Sequence, residues 1–172
     1  MEYGDYQCPV CGSFYAAVKQ TASDESAKMI FQFRNLPLTS LHPNAFSAAR
    51  AAEAAGLQNK YWEMHDALYE NQTAWSASSN PLSFFDAYAT QLGLNKASFD
   101  KDYASEQVNN AINADTAAFG KTGDEMATPT FYLDGKKLDN TTLIDTSGRP
   151  SAASFEKVIN AEIAKKTQSA KN

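Results

Sequence analysis

Apolar residues recur along this chain at two spacings, and the change from one to the other sets out its elements. Phe14, Ala17 and Val18 form a helical stripe. Pro9 suits the first turn of that helix, since its φ is already helical and its missing N–H would be unpaired there; the stripe runs out near Ser23. Met29 to Phe33 (Met-Ile-Phe-Gln-Phe) is a short run of β-formers and reads as a buried strand. Leu36-Pro37-Leu38 and His42-Pro43 stop it, because proline disfavours helix before it and cannot feed a central ladder. From about Asn44 to Gly120 the signals are all helical. Ala45 to Leu57 is alanine-rich and breaks at Gly56, and Lys60 to Tyr69 carries Tyr61, Trp62, Met64, Leu68 and Tyr69. Gln72 to Asn80, rich in Ser and Asn, reads as a polar connection. Asn80-Pro81 opens a helix with Leu82, Phe85, Tyr88 and Leu92 that stops at Gly93. Asn95 is a candidate cap for the next helix, with Phe99 and Tyr103 four apart and Val108, Ile112 and Phe119 further on. Beyond Gly123, Pro129 to Leu133 reads as a strand, Asp134-Gly135 as a hairpin turn and Lys136 to Leu138 as the returning strand. A last helix, from about Ser151 to Lys166, puts Phe155, Val158, Ile159 and Ile163 on one face and two lysines at its C-terminal end, where cations suit the dipole. Residues 167–172 read as a frayed tail.

Composition permits one well-packed domain. The chain has 172 residues, of which 43% are hydrophobic. A net charge of −5 argues against nucleic acid as a partner, since phosphate binding needs a clustered basic surface. The basic residues are scattered, with Lys136-Lys137 and Lys165-Lys166 the densest spots. No apolar run approaches the roughly 20 residues that cross a bilayer. The opening Met1-Glu2-Tyr3-Gly4-Asp5 lacks the basic and apolar regions of a signal peptide, so any export segment is expected to be absent from this chain.

Two cysteines occur, both within Cys8-Pro9-Val10-Cys11. A disulfide-built scaffold spreads its cysteines along the chain, so this concentration points to chemistry rather than stapling. Cys8 falls at a helix N-terminus, where unpaired N–H groups and the dipole favour negative charge. That lowers a thiol's pKa, and the thiolate is the reactive form. Cys11 lies one turn further in, more enclosed and near enough to close a disulfide. Cys8 is therefore expected to be the exposed sulfur that attacks or is attacked, with Cys11 as its resolving partner. Two other readings compete. Zinc usually takes four ligands, but the sequence has no second Cys-x-x-Cys, and His42 and His65 lie in unrelated contexts. A structural bridge across so short a loop would constrain little chain.

The segment Glu2-Tyr3-Gly4-Asp5-Tyr6-Gln7-Cys8-Pro9-Val10-Cys11 resembles the active-site stretch of the DsbA-like thioredoxin family. Phe33-Arg34-Asn35-Leu36-Pro37-Leu38 with His42-Pro43-Asn44-Ala45 resembles the segment leaving that family's second strand. The run from Tyr61 to Gln72 resembles a helix of its insert, and Ala127-Thr128-Pro129-Thr130-Phe131 resembles its cis-proline loop. The resemblance spans almost the whole chain in the expected order. It implies an α/β architecture, a thioredoxin fold with an all-helical insert between its βαβ and ββα halves. Residues 1–42 would form the N-terminal part with its first strand apparently truncated, 43–122 the insert, 123–166 the C-terminal part and 167–172 a flexible tail.

The resemblance also implies roles. A cis Thr128–Pro129 bond would face the cysteines, and Thr128 would offer its backbone to an extended substrate like an added strand. The alternative is a trans proline opening an edge strand. Pro9 and Val10 would join Thr128 in contacting substrate. Glu2, six residues before Cys8, matches the family's buried acid, whose raised pKa would let it exchange a proton with Cys11. The alternative is an exposed terminal glutamate, since only Met1 precedes it. The family's central strand begins several residues earlier, and its loss would expose sheet edge and core. Strong oxidants of the family carry Pro-His between the cysteines. Val10 offers the thiolate neither hydrogen bond nor charge, so a weaker oxidant is expected.

Other residues weigh less. Histidine is the side chain suited to proton transfer near neutral pH, but His42 and His65 read as turn or helix-surface residues. Trp62, Phe84, Phe85 and Tyr88 read as core, with a substrate groove as the alternative. Asn71-Gln72-Thr73 and Asn140-Thr141-Thr142 match glycosylation sequons, which arise often by chance. The expected function is a thiol–disulfide oxidase of a bacterial or archaeal envelope, outside the cytoplasm, where disulfides persist. Its partners would be reduced substrate proteins or peptides and a membrane quinone-linked enzyme that reoxidises the pair. No metal and no cofactor beyond the redox-active cysteines is expected, and nothing in the residues sets an oligomeric state. The rivals are a reductase or isomerase using the same residues, and a non-enzymatic module that binds peptides or copper(I) through the cysteines.

Overall fold

The computed structural model describes residues 1–169. Strands β1 (Glu2–Gly4), β2 (Phe33–Asn35), β3 (Thr130–Leu133) and β4 (Lys136–Lys137) form one sheet in the order β2-β1-β3-β4. β1 runs parallel to β2 and antiparallel to β3, with Glu2 opposite Phe33 on one side and Phe131 on the other. Parallel pairing needs a crossover, which α1 (Pro9–Asp24) supplies. The β3–β4 hairpin turns on Asp134 and Gly135, whose φ values of 49° and 77° are those of a two-residue type I′ turn. A 3-10 turn at Asn140–Leu143 leads on to α8 (Ala152–Ser169).

Between β2 and β3 stand α2 (Ala45–Gly56), α3 (Tyr61–Glu70), α4 (Gln72–Ser76), α5 (Leu82–Gln91), α6 (Lys96–Tyr103) and α7 (Glu106–Gly120). The βαβ and ββα halves thus close on one sheet, with the helical insert between them. α2 is the insert's centre. Its Ala45, Ala48, Ala51, Ala52, Ala54 and Ala55 are all fully buried, as suits a helix apolar nearly all round, and it lies against α3, α5, α6 and α7. The side chains of Asn95 and Ser105 cap α6 and α7 by accepting the N–H groups of Ser98 and Val108.

Side chains alternate across β3. Phe131 turns toward α1 and α8, where Phe14, Val18, Leu143 and Phe155 complete a buried cluster. Tyr132 turns the other way, to Tyr3, Leu36 and Phe119 of α7. Glu2 and Phe33 share the row of Phe131 across the sheet, so they face α1 as well.

Several elements differ from those the sequence predicts. The strand expected over Met29–Phe33 runs instead over Phe33–Asn35. Its polar residues are paired there: Asp115 of α7 accepts from Arg34 Nη1 at 2.8 Å and from the Asn35 N–H at 2.9 Å, and Asn35 Nδ2 donates to Glu53 at 2.7 Å. The expected connection after Gln72 opens as a helical turn, α4, because Trp75 is fully buried, with Nε1 donating to the Leu68 carbonyl at 2.8 Å. Residues expected in a frayed tail continue α8 as far as Ser169, while 170–172 lie outside the described residues. The strand read as truncated has three residues, all buried and all paired with β2, in β1. It is tied on both sides, by the Glu2 N–H to Gln32 O at 2.8 Å and the Tyr132 N–H to Met1 O at 2.8 Å.

Candidate active site

Cys8 is the N-cap residue of α1, and Pro9 occupies the helix's first turn. No side chain caps the free N–H groups there, and those of Val10 and Cys11 serve the Cys8 sulfur instead. The Cys11 sulfur lies 3.7 Å from that of Cys8, and both thiols are free. Cys8 keeps only 5% of its surface and Cys11 1%. The sulfur expected to be exposed is therefore buried, though less than its partner. Part of the cover is the loop before β3, whose Thr128 carbonyl oxygen lies 3.4 Å from the Cys8 sulfur.

The two thiols are electrostatically unlike. Cys8 is lowered from 9.0 to about 5, chiefly by the hydrogen bond from the Cys11 thiol; burial opposes this, and the Thr128 hydroxyl and the helix N–H groups assist it. Cys11 is held well above the ordinary value by burial, with its bond to Cys8 and the field of Glu2 adding to the effect. A shared proton thus resides on Cys11 and the charge on Cys8.

The Thr128–Pro129 peptide is cis. Its loop is fixed by Thr130 Oγ1 donating to Ala127 O at 2.7 Å and by Asn140 Nδ2 donating to Pro129 O at 2.9 Å. The Thr128 hydroxyl is buried with no hydrogen-bond partner among the described residues, which leaves it free to donate to a thiolate at Cys8. Pro9 and Val10 are exposed, Val10 by 50%. Glu2 is 4% exposed and faces α1 from the central strand, so it is not an exposed terminal residue. Burial raises its carboxyl to about 8; the Met1 amino group opposes this and the Cys8 charge adds to it.

Residues given no catalytic role from the sequence also hold the site. Asp5, with its side chain fully buried, accepts the Gln7 N–H at 2.7 Å and the Leu38 N–H at 2.9 Å, and its second oxygen also meets His42 Nδ1 at 2.7 Å. This carboxylate ties the loop entering α1 to the loop leaving β2. The signal in the sequence was an aspartate two residues before Gln7, the spacing of an Asx turn. His65 is not a surface residue either. It is 5% exposed among the rings of Tyr6, Phe33, Trp62 and Tyr69, and burial lowers its pKa. Phe85 and Tyr88 are buried core, whereas Trp62 is half-exposed beside Phe31. Among the described residues, no group of three or more His, Cys, Asp or Glu stands together to hold a metal ion, and no helix is long and apolar enough to cross a membrane.

The sheet, the inserted helices and the split dithiol at the start of α1 define a dithiol protein of the thioredoxin fold. A family model described as Thioredoxin matches residues 1–149, and the chain belongs to that family. The fold is shared with BdbD from Bacillus subtilis, at a TM-score of 0.75 and 20% identity over 95% of this chain and 85% of that one. It is shared too with a thioredoxin-like oxidoreductase from Silicibacter pomeroyi, at a TM-score of 0.73 and 24% identity over 95% and 84% of the two chains. Among curated proteins, the chain is 34% identical over 142 residues to the Na(+)/H(+) antiporter NhaA 1 of a Mycobacterium species, a match covering 80% of this chain. The chain spans about a fifth of the length of the curated relatives it matches (22% of this one), and the antiporter name is theirs.

Proposed function

We propose that this protein is a thiol–disulfide oxidoreductase acting as an oxidase on reduced proteins or peptides outside the cytoplasm. The reading is carried by the split pair, a thiolate at Cys8 and a buried thiol at Cys11. In the oxidised state, a substrate thiolate attacks the Cys8 sulfur. The Cys8–Cys11 bond breaks, and its electron pair goes to Cys11, which takes up a proton. Glu2, held near pH 8 and therefore mostly protonated at neutrality, supplies it. A second substrate thiolate then attacks the substrate sulfur of the mixed disulfide, and Cys8 leaves as a thiolate. Two substrate thiols become one disulfide, and the enzyme pair takes up two electrons.

The direction follows from the leaving group. A thiol with a pKa near 5 leaves readily, and its stabilised thiolate favours the reduced enzyme, so the disulfide is passed on. Thr128 offers its backbone to the substrate chain, and the half-exposed Val10 and Met126 supply apolar contact from the two segments that carry Cys8 and Thr128. A quinone-linked membrane enzyme would reoxidise the pair.

The test is disulfide transfer from the oxidised protein to a reduced two-cysteine peptide in the presence of chelator, with the reduction potential measured against glutathione. Transfer that is lost in Cys8→Ser, with a potential well above the roughly −270 mV of thioredoxin, supports the oxidase. A potential at or below that value with insulin reduction supports the reductase, and stoichiometric copper(I) uptake without turnover supports a binding module.

A further inference from the structure

Gln72 opens α4 and takes no part in the sulfur chemistry above. Its side chain nevertheless crosses to the loop that carries the nucleophile. Nε2 donates to the carbonyl of Tyr6 at 2.7 Å and to that of Cys8 at 2.8 Å. The Cys8 carbonyl also accepts the first helical bond of α1, from the Gly12 N–H at 3.1 Å. It belongs to the Cys8–Pro9 peptide, whose orientation sets where the next N–H groups of the helix point. Those next groups, on Val10 and Cys11, are the ones that serve the Cys8 sulfur.

Gly12 makes the room. A Cβ there would overlap the Gln72 side-chain oxygen and stand 3.0 Å from Cδ and 3.1 Å from Nε2. The stitching is returned from the other side. Gln7 Nε2 donates to Ser76 O at 2.8 Å, at the far end of α4, and Gln7 Oε1 accepts the Asn44 N–H at 2.6 Å. The insert is thus bonded to the active-site loop at both ends of one short helix.

We propose that Gln72 is a positioning residue for the Cys8 thiol: its amide, seated against Gly12 and bonded to the Tyr6 and Cys8 carbonyls, holds the helix-entry peptide so that the first free N–H groups stay aimed at the sulfur. A glutamine that merely anchored α4 would support stability and leave the thiol untouched. The purpose of the device rests on the oxidoreductase reading, but its test needs no substrate.

The experiment compares reduced wild type, Gln72→Met and Gly12→Ala as full chains. Cys8 ionisation is followed by thiolate absorbance near 240 nm and by iodoacetamide alkylation against pH, with thermal melts alongside. Gln72→Met removes both donors, while Gly12→Ala displaces the amide without deleting it and improves the helix propensity of α1. The expected result is a midpoint raised by about one unit in both variants, so that alkylation at pH 4 slows about tenfold. Midpoints equal to wild type, with only the melting temperature changed, overturn the proposal. If Gln72→Met does not fold, Gly12→Ala decides alone. A wild type that titrates low yet transfers no disulfide sinks the oxidase reading and leaves this one standing; active transfer with unmoved variant midpoints does the reverse.

Discussion

The sulfur of Cys8 lies 3.4 Å from the carbonyl oxygen of Thr128, although 120 residues separate them in the chain. The sheet order explains the meeting. β1 and β3 are antiparallel neighbours, so the end of β1 that leads to Cys8 and the start of β3 that follows Pro129 reach the same edge. The carbonyl suits a thiol at Cys8, and the adjacent unpaired hydroxyl of Thr128 suits a thiolate. Thr128→Val keeps the shape of the side chain and removes that donor. The Cys8 midpoint is expected to move upward, with alkylation at pH 4 slowed about tenfold, the scale of one hydrogen bond to a charged group. Stopped-flow alkylation measures it.

Stability of the reduced protein should depend on pH through two opposed groups. Folded Cys8 stays ionised down to about pH 5, whereas in the unfolded chain it binds a proton below 9.0. Unfolding between those limits takes up a proton, so this contribution is full above pH 9 and lost as pH falls through 5. Glu2 has the opposite sign. Its folded carboxyl keeps a proton up to about pH 8 while the unfolded one releases it above 4.5, so its contribution is full below 4.5 and lost as pH rises through 8. Melts of the reduced protein from pH 5 to 8 should therefore show Tm rising more steeply with pH in Glu2→Gln than in wild type. Cys8→Ala should flatten or reverse the trend.

Val10 is exposed beside the thiolate and brings it no charge. Val10→His adds a donor that is cationic below its own pKa. The reduced form gains, and the reduction potential should rise by about 30 mV for each unit by which the Cys8 pKa falls. Equilibration with glutathione at pH 7 reads the shift.

Asp5→Ala leaves the Gln7 and Leu38 N–H groups without their acceptor. At about 1–3 kcal/mol for each of the two unpaired donors, urea unfolding should show a loss of roughly 2–6 kcal/mol. Asp5→Asn, which keeps one acceptor oxygen, should lose less.

What the sequence made legible was local. Pro9 after Cys8 announced the start of α1, Asp134-Gly135 announced the hairpin, and Asn95 announced a cap, because each acts through its own backbone. What it hid depended on distant partners. Arg34 and Asn35 look too polar for a ladder until Asp115 and Glu53 arrive from α7 and α2. The polar run after Gln72 hides a helix whose reason is one buried tryptophan. The site was divided in the same way. The cysteine pair stood out as a motif and the Asp5–Gln7 turn was local, but the bonds from Asp5 to Leu38 and His42 and from Gln72 to the Tyr6 and Cys8 carbonyls span 33 to 66 residues.

The central claim is that one sulfur of the pair is ionised and the other is not. Titrating the reduced protein by thiolate absorbance, with alkylated sites assigned by mass spectrometry, tests it directly. The account predicts one thiol ionising near pH 5, assigned to Cys8, with Cys11 still protonated above pH 9. Two thiols ionising together near the ordinary value of 9.0 would contradict it.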